Sequence, residues 1–512
     1  MPRPQPKGSK DGWLGAMRTH LKRGELTLAG ALFDEHAASA PHEAVLLRAR
    51  IYLKQQNAAQ ARALLESTTP PPRDAAARVD RESLLGAAYA RAGRFDAADV
   101  HFQDALDAAA KIGDPDVLAS LAYQRAVRYA LEHRLEQARE QLAIVRRGRS
   151  VAARAQAAIA EWFVLAQERR YVEQAQVLES LLSSMDPKAG DDEETRLYAV
   201  WNLAILAREL YLPDSLPLLE RHIDAVPWPD DYEQQHFEAL KALGWCHALR
   251  GDYFNAFRRL KASQQVCKDR ARLAIAHLDR AYLARCNNEM LWHRQELAEA
   301  EDLARTIDWK REQGEERVAL LLLAQLFAPI DRAKASYYIA QYDELPPLSR
   351  PLQHFSHDGR LDALANYSRA IVDLALGSKK TAIALLKRTE KTYEDIGYDW
   401  RAGRCALRLY EITGDAKHLR RAGERLRHYM NSWLGEELQS AGTRSQAVNL
   451  PMMQRKVFDY ICQGLSNAEI AEQMERSEFT VRNHVKALLK RFGVSSRSAL
   501  IAEAARRNLL ER

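Results

Sequence analysis

Cysteine is scarce in this chain. Five occur in 512 residues (Cys246, Cys267, Cys286, Cys405 and Cys462), an odd number with no C-x-x-C pair. That argues against a disulfide framework and against zinc motifs, and it fits a reducing cytoplasm. Long apolar runs are missing too. The most apolar window, 318–330, is about a dozen residues and contains Gln325, where a bilayer span needs about 20. We expect a buried helix there and no membrane association. The opening MPRPQPKGSKDG has no apolar run and is no secretory signal; residues 1–12 are expected to be a disordered tail. Alternating runs of Val, Ile, Thr and aromatics are absent as well, so the expected fold class is all-α.

The residue sets of catalysis are equally thin. Gly377-Ser378-Lys379-Lys380-Thr381 lacks the upstream glycine and the preceding strand of a phosphate-binding loop, and is expected to be a turn between helices. His354 and His357 have no third ligand near them in sequence, and Asp191-Asp192-Glu193-Glu194 reads as an acidic helix start favoured by the helix dipole. No Ser/His/Asp, Cys/His or paired-carboxylate arrangement stands out. We therefore expect no enzyme, no cofactor and no metal.

What the chain does have is helical periodicity and an uneven charge. The formal net charge is +6. Residues 445–512 hold eleven Lys/Arg against seven Asp/Glu, so four of those six charges sit in the last 68 residues. A basic excess in a small terminal unit suits phosphate attraction; the near-neutral remainder does not.

Within 450–501 the periodicity is sharp. Val457, Phe458, Ile461 and Leu465 predict one helix, which Gly464 ends. Ser466-Asn467-Ala468-Glu469 has the pattern of a capping box ahead of a short helix carrying Ile470, Ala471 and Met474. Ser477 can cap a third helix through Phe492, with Val481, Val485, Leu488 and Phe492 on one face and Arg482, Asn483, Lys486 and Lys490 on the other. Ser495 or Ser496 can cap a fourth helix, with Leu500, Ile501 and Ala504. A short helix, a tight turn and a longer helix with a basic outer face is the helix-turn-helix plan.

These residues resemble the LuxR-type (LuxR/FixJ, GerE-like) DNA-binding domain of bacterial transcription regulators. The resemblance rests on Gln463-Gly464-Leu465-Ser466-Asn467, Glu469-Ile470-Ala471, Thr480-Val481-Arg482-Asn483-His484, Gly493-Val494 and Arg497. Gln454, Lys456, Ala468 and Glu475 depart from the family's usual residues; a glycine or asparagine is usual where Glu475 stands. The resemblance implies that Arg482, Asn483 and Lys486 face base edges. It implies that Asn467, Thr480, His484, Lys490 and Arg497 lie near phosphates, and that Leu500, Ala504 and Leu509 form a dimer surface.

Residues 13–430 are rich in Ala, Leu, Arg, Glu and Gln and carry an internal repeat. An aromatic ring is followed nine positions later by alanine at Tyr52/Ala61, Tyr89/Ala98 and Tyr129/Ala138, and more weakly at His247/Ala256. Leu85-Gly86-Ala87-Ala88-Tyr89 followed by Ala92-Gly93-Arg94-Phe95-Asp96 resembles a tetratricopeptide repeat, a pair of antiparallel helices. Helix pairs are expected at 361–376 with 380–393 and at 400–412 with 416–430. The expected organisation is a tail (1–12), a tetratricopeptide-like solenoid (13–430), a polar linker (431–448) and the DNA-binding domain (449–512). Trp201 and Trp245 are expected in the core, and Arg125, Arg128 and Arg208 are candidates for the concave groove.

The chain therefore reads as a cytoplasmic bacterial transcription regulator. Its partners would be double-stranded DNA, a small-molecule, peptide or protein effector on the repeats, and RNA polymerase, with a homodimer on DNA. The rival reading is an interaction scaffold with secondary DNA tethering.

Overall fold

The computed structural model describes residues 12–55, 57–67, 74–188, 193–225, 227–312, 315–346, 359–446, 450 and 452–506. His354, His357, Asp191, Asp192, Leu509 and residues 1–11 of the expected tail lie outside these; Gly12 already begins a helix, Gly12–Lys22. The described residues form α-helices and short 3-10 turns, with no strand among them. The chain up to Gln446 is a tetratricopeptide-like solenoid of antiparallel helix pairs, each packed on the next.

The turn inside each pair shows how the repeat is built. A residue with left-handed φ closes the first helix at Gly93, His133, Arg169, Tyr211, Gly251 and Asn288, a spacing of 36 to 42 residues. Five residues beyond each sits a side chain that the first helix of the pair must accommodate: Ala98, Ala138, Gln174, Leu216, Ala256 and His293, all buried. The three alanines let the helices approach closely. Gln174 and His293 bring polar atoms into this buried position, and one nitrogen of each finds a backbone acceptor. Gln174 Nε2 donates to the Trp162 carbonyl at 3.3 Å and His293 Nδ1 meets the Ala281 carbonyl at 2.9 Å, each twelve residues back on the first helix. Seven residues before their turns, Gly86 and Gly244 leave room for Phe102 and Leu260.

The expected later pairs are present as Arg360–Ala375 with Lys379–Asp395 and Asp399–Thr413 with Ala416–Leu426. Gly377, at φ 88°, is the turn expected of it. The apolar window forms Val318–Phe327, with 319–321 and 323–327 buried and Leu322 half-buried. Among the described residues no helix is long and apolar enough to cross a membrane, and no cluster of His, Cys, Asp and Glu could hold a metal. Burial pushes the thiols of Cys246 and Cys267 up to about 12 and about 11, so neither is poised as a nucleophile.

One expectation is corrected. Serines and glycines between 431 and 448 suggested a polar linker, yet Trp433–Gln446 is a helix. Trp433, Leu434 and Ala441 are buried against the solenoid, and Ser432 folds back to hydrogen-bond the Tyr429 carbonyl. Two apolar anchors at the helix start outweigh the polar composition of the rest.

Candidate DNA-binding surface and solenoid cavity

The terminal unit has its own core. Phe458, on Met452–Cys462, stacks on Phe492, the last residue of Glu478–Phe492, with ring centres 5.2 Å apart. Ile470 and Ala471 of Asn467–Gln473 pack on the same cluster, as do Val481, Leu488 and Leu500. The caps form as the sequence indicates. Ser466 Oγ accepts from Glu469 N at 3.3 Å and Glu469 Oε2 accepts from Ser466 N at 2.6 Å. That backbone donor holds the Glu469 carboxyl below its ordinary range. Ser477 accepts from Thr480 N, and Ser496, rather than Ser495, accepts from Ala499 N ahead of Arg497–Arg506. Gly464 and Gly493 take φ of 89° and 68°.

This frame aims one face of Glu478–Phe492 outward. Val481 and Leu488 are fully buried, while Arg482, Asn483, Lys486 and Lys490 are exposed on the opposite side. Arg482 donates to Glu478 Oε1 at 2.8 Å, one turn earlier, which extends its guanidinium along the helix start. Thr480 Oγ1 pairs with Ser477 Oγ, and His484 is half-buried beside them. Phe479 was not singled out by the sequence, yet it is 73% exposed at the same helix start. Its position just after a cap, off the buried stripe, was the available signal.

One expected role changes, and a second residue makes contacts inside the unit as well. Leu500 and Ala504 are fully buried inside the unit, so they are core residues and cannot offer a dimer surface; the fourth helix needs them to cover Phe458 and Val457. Arg497 turns back onto the Leu465 carbonyl and donates to Asn467 Oδ1 at 3.2 Å. It ties the fourth helix to the start of the second and leaves a cation beside that helix N-terminus.

The second site lies on the solenoid's inner face. First helices of successive pairs converge there because the superhelix turns far enough for Glu193–Leu210 to meet Asp399–Thr413. Arg401 closes the turn, donating to Glu209 at 2.6 and 2.9 Å across 192 residues. Glu209 is fully buried and also accepts from Arg208 at 2.8 Å. Burial alone would raise its pKa, but the two arginines outweigh that and hold it far below the usual carboxylate range.

Between these helices is a cavity of about 180 Å³. Arg208 and Trp245 line it, as two of the five residues named from the sequence; Trp201 packs on the core beside it, and Arg125 and Arg128 bind elsewhere, to Tyr129 and to Asp99 with Glu132. Sequence reasoning missed Lys241, Asp279, Tyr282, Tyr367, Trp400 and Arg404, which only the curl brings together. Arg404 lies between two phenol rings, 5.0 Å from the centre of Tyr282 and 4.8 Å from that of Tyr367.

A helix-turn-helix with an outward basic row, joined to a long helical-repeat array, defines a DNA-binding regulator, and the comparisons agree. Residues 449–504 match the bacterial regulatory proteins of the luxR family. The spore germination protein GerE of Bacillus subtilis (strain 168) is 37% identical over 62 residues, which are 12% of this chain and 84% of that one. The chain belongs to the luxR family through this C-terminal domain. Its overall architecture is similar to a Rap protein complexed with competence and sporulation factor (11% identity, TM-score 0.41, 72% of this chain and 99% of that one). It is also similar to the APC/C hetero-tetramer Cut9–Hcn1 (13% identity, TM-score 0.38, 97% of this chain and 90% of that one).

Proposed function

We propose that the chain is a sequence-specific transcription regulator, active on DNA in the bacterial cytoplasm, whose repeat region receives an effector or partner and controls the terminal domain. The observation that carries this is the row Arg482, Asn483 and Lys486, exposed opposite a buried stripe on the second helix of a helix-turn-helix. In the major groove, Arg and Lys pair with guanine O6/N7 and Asn with adenine N6/N7. Phe479, beside them, suits a thymine methyl. Thr480, His484 and Lys490 would meet phosphates, as would the N-terminus of the second helix with Asn467 and Arg497 beside it.

A dimer on a two-half-site operator fits the family, but its contact must use residues other than Leu500 and Ala504. RNA polymerase is a further partner of this reading. Selection of genomic fragments by the purified chain tests it. A shared motif among the captured fragments is expected. Capture without sequence preference, weakening steeply with salt, would favour the scaffold reading.

A further inference from the structure

The solenoid cavity combines three features. Its lining holds five basic side chains, Arg208, Lys241, Arg360, Arg401 and Arg404, against three acidic ones, Glu209, Glu238 and Asp279. The acidic groups are largely committed: Glu209 to Arg208 and Arg401, and Glu238 to Lys241 at 2.7 Å. Arg404 has no carboxylate within ion-pair distance among the described residues; it rests on two aromatic rings instead. The rest of the wall is apolar, from Ile205, Leu278, Leu322 and Leu364.

Three buried donors on this wall also lack a hydrogen-bond acceptor among the described residues: the Tyr367 hydroxyl, the Trp400 indole N–H and Arg404 Nε. Tyr367 and Trp400 are each only 4% exposed. Buried polar groups in folded proteins are nearly always paired, and these unpaired donors suit an added acceptor beside a guanidinium whose acidic neighbour, Glu437, is already ion-paired to Arg408. The acceptor that meets all of them is an anion. A carboxylate or phosphate takes charge-assisted hydrogen bonds from Arg and neutral ones from Tyr and Trp.

We propose that this cavity is the effector site and that its ligand is a small organic anion with an apolar body. The anionic group lies against Arg404, Tyr367 and Trp400, and the body against the leucine and isoleucine wall. The volume suits a metabolite-sized ligand rather than a folded partner. Trp433, which begins the helix that precedes the DNA-binding domain in the chain, packs on the cavity residues Trp245 and Tyr282, so occupancy can act on the start of that helix. The inference rests on the regulatory reading only for the word effector; the anion site stands on its own.

Calorimetry with the full chain tests it, using three probes of matched size: 3-phenylpropionate, 3-phenylpropanol and 3-phenylpropylamine. The carboxylate should bind at least about tenfold more tightly than the alcohol, and the amine should not bind. Arg404→Gln should weaken the carboxylate by about tenfold. Tyr367→Phe removes a hydroxyl that no described residue holds, so it should leave the unliganded melting temperature unchanged and still weaken the carboxylate several-fold. Equal binding of alcohol and carboxylate would overturn the proposal, as would binding indifferent to both substitutions, or no binding by any probe at millimolar concentration. DNA affinity is read in parallel. Carboxylate binding that leaves DNA affinity untouched would uphold the anion site and overturn its role as effector site.

Discussion

The indole of Trp433 meets that of Trp245 at a steep angle, ring centres 5.9 Å apart and planes at 63°. One ring begins the helix Trp433–Gln446; the other lines the solenoid cavity. Tyr282, also of the cavity wall, approaches Trp433 at 6.2 Å. The preceding turn is docked as firmly, since a Cβ on Gly251 would run into the carbonyl oxygen of Asn431. A ligand that moves Trp245 or Tyr282 therefore moves the start of this helix, which is what differential coupling requires.

Replacing Trp433 by Leu keeps an apolar plug and removes the edge contacts. The expected result is an unchanged cavity affinity for 3-phenylpropionate and a smaller ligand-induced shift in DNA affinity. Titrating labelled DNA with and without the probe measures both. A full-sized shift in the variant would remove Trp433 from the coupling.

Asp279 gives the cavity a pH dependence. It is buried, facing Lys241, Trp245, Arg208 and Glu238, and burial pushes its pKa up to about 6. Below that value Asp279 is neutral and the lining becomes more positive. Affinity for the carboxylate probe should rise as pH falls from 7.5 toward 5.5, while the probe stays ionised. The same shift lowers folding stability as pH rises from the unfolded value near 4 through 6, because the folded chain then gives up a proton it holds more tightly. Asp279→Asn should flatten the binding profile. A slope preserved in that variant would assign it to another group.

Glu475 sits at φ 50° in the turn between the second and third helices of the terminal unit, where L side chains other than Asn and Asp are disfavoured. Glu475→Asn should stabilise an isolated 445–512 fragment by about 0.5 kcal/mol, seen as a rise of about 2–4 °C in melting temperature. A fall would mean that the carboxylate makes a stabilising contact of its own.

Leu500 tests the corrected role of the fourth helix. As a core residue, its replacement by Ala should cost about 2–5 kcal/mol in the stability of that fragment. Unchanged melting with a selective loss of cooperative binding to paired half-sites would restore the dimer surface.

The two halves of the chain differ in how much the sequence disclosed. In the terminal unit every determinant is local: Ser466 caps Glu469, Gly493 ends its helix, and Val481 and Leu488 share a face by spacing alone. The fate of Leu500 was harder to see, since an apolar residue on a short last helix suits a core and an interface alike. In the solenoid, turns marked by Gly93, Gly251, Gly377 and Gly414 were legible. Those at Arg169 and Tyr211 were not, because such side chains rarely adopt a left-handed φ, and His133 and Asn288, which adopt it more readily, carry no such signal as single residues in a helical stretch. Gln174 and His293 hid two further repeats by replacing a small residue with a hydrogen bond. The cavity was hidden more deeply, because the Glu209–Arg401 pair spans 192 residues and depends on the curl accumulated over all the intervening pairs.

Base readout by the third helix of the terminal unit is the central claim, and a panel of single-base operator variants tests it most directly. Arg482 and Lys486 are one turn apart on the exposed face, and Lys490 is one turn further on, where on the proposed docking the helix would leave the bases for the DNA backbone. Binding of the wild type, Arg482→Ala and Lys490→Ala is measured across the panel at two salt concentrations. Arg482→Ala should cost about 1–3 kcal/mol on the best site and flatten the preference at one base pair, while Lys490→Ala should weaken every sequence alike and reduce the salt slope by about one. A uniform loss across the panel from Arg482→Ala, matching that from Lys490→Ala, would contradict it.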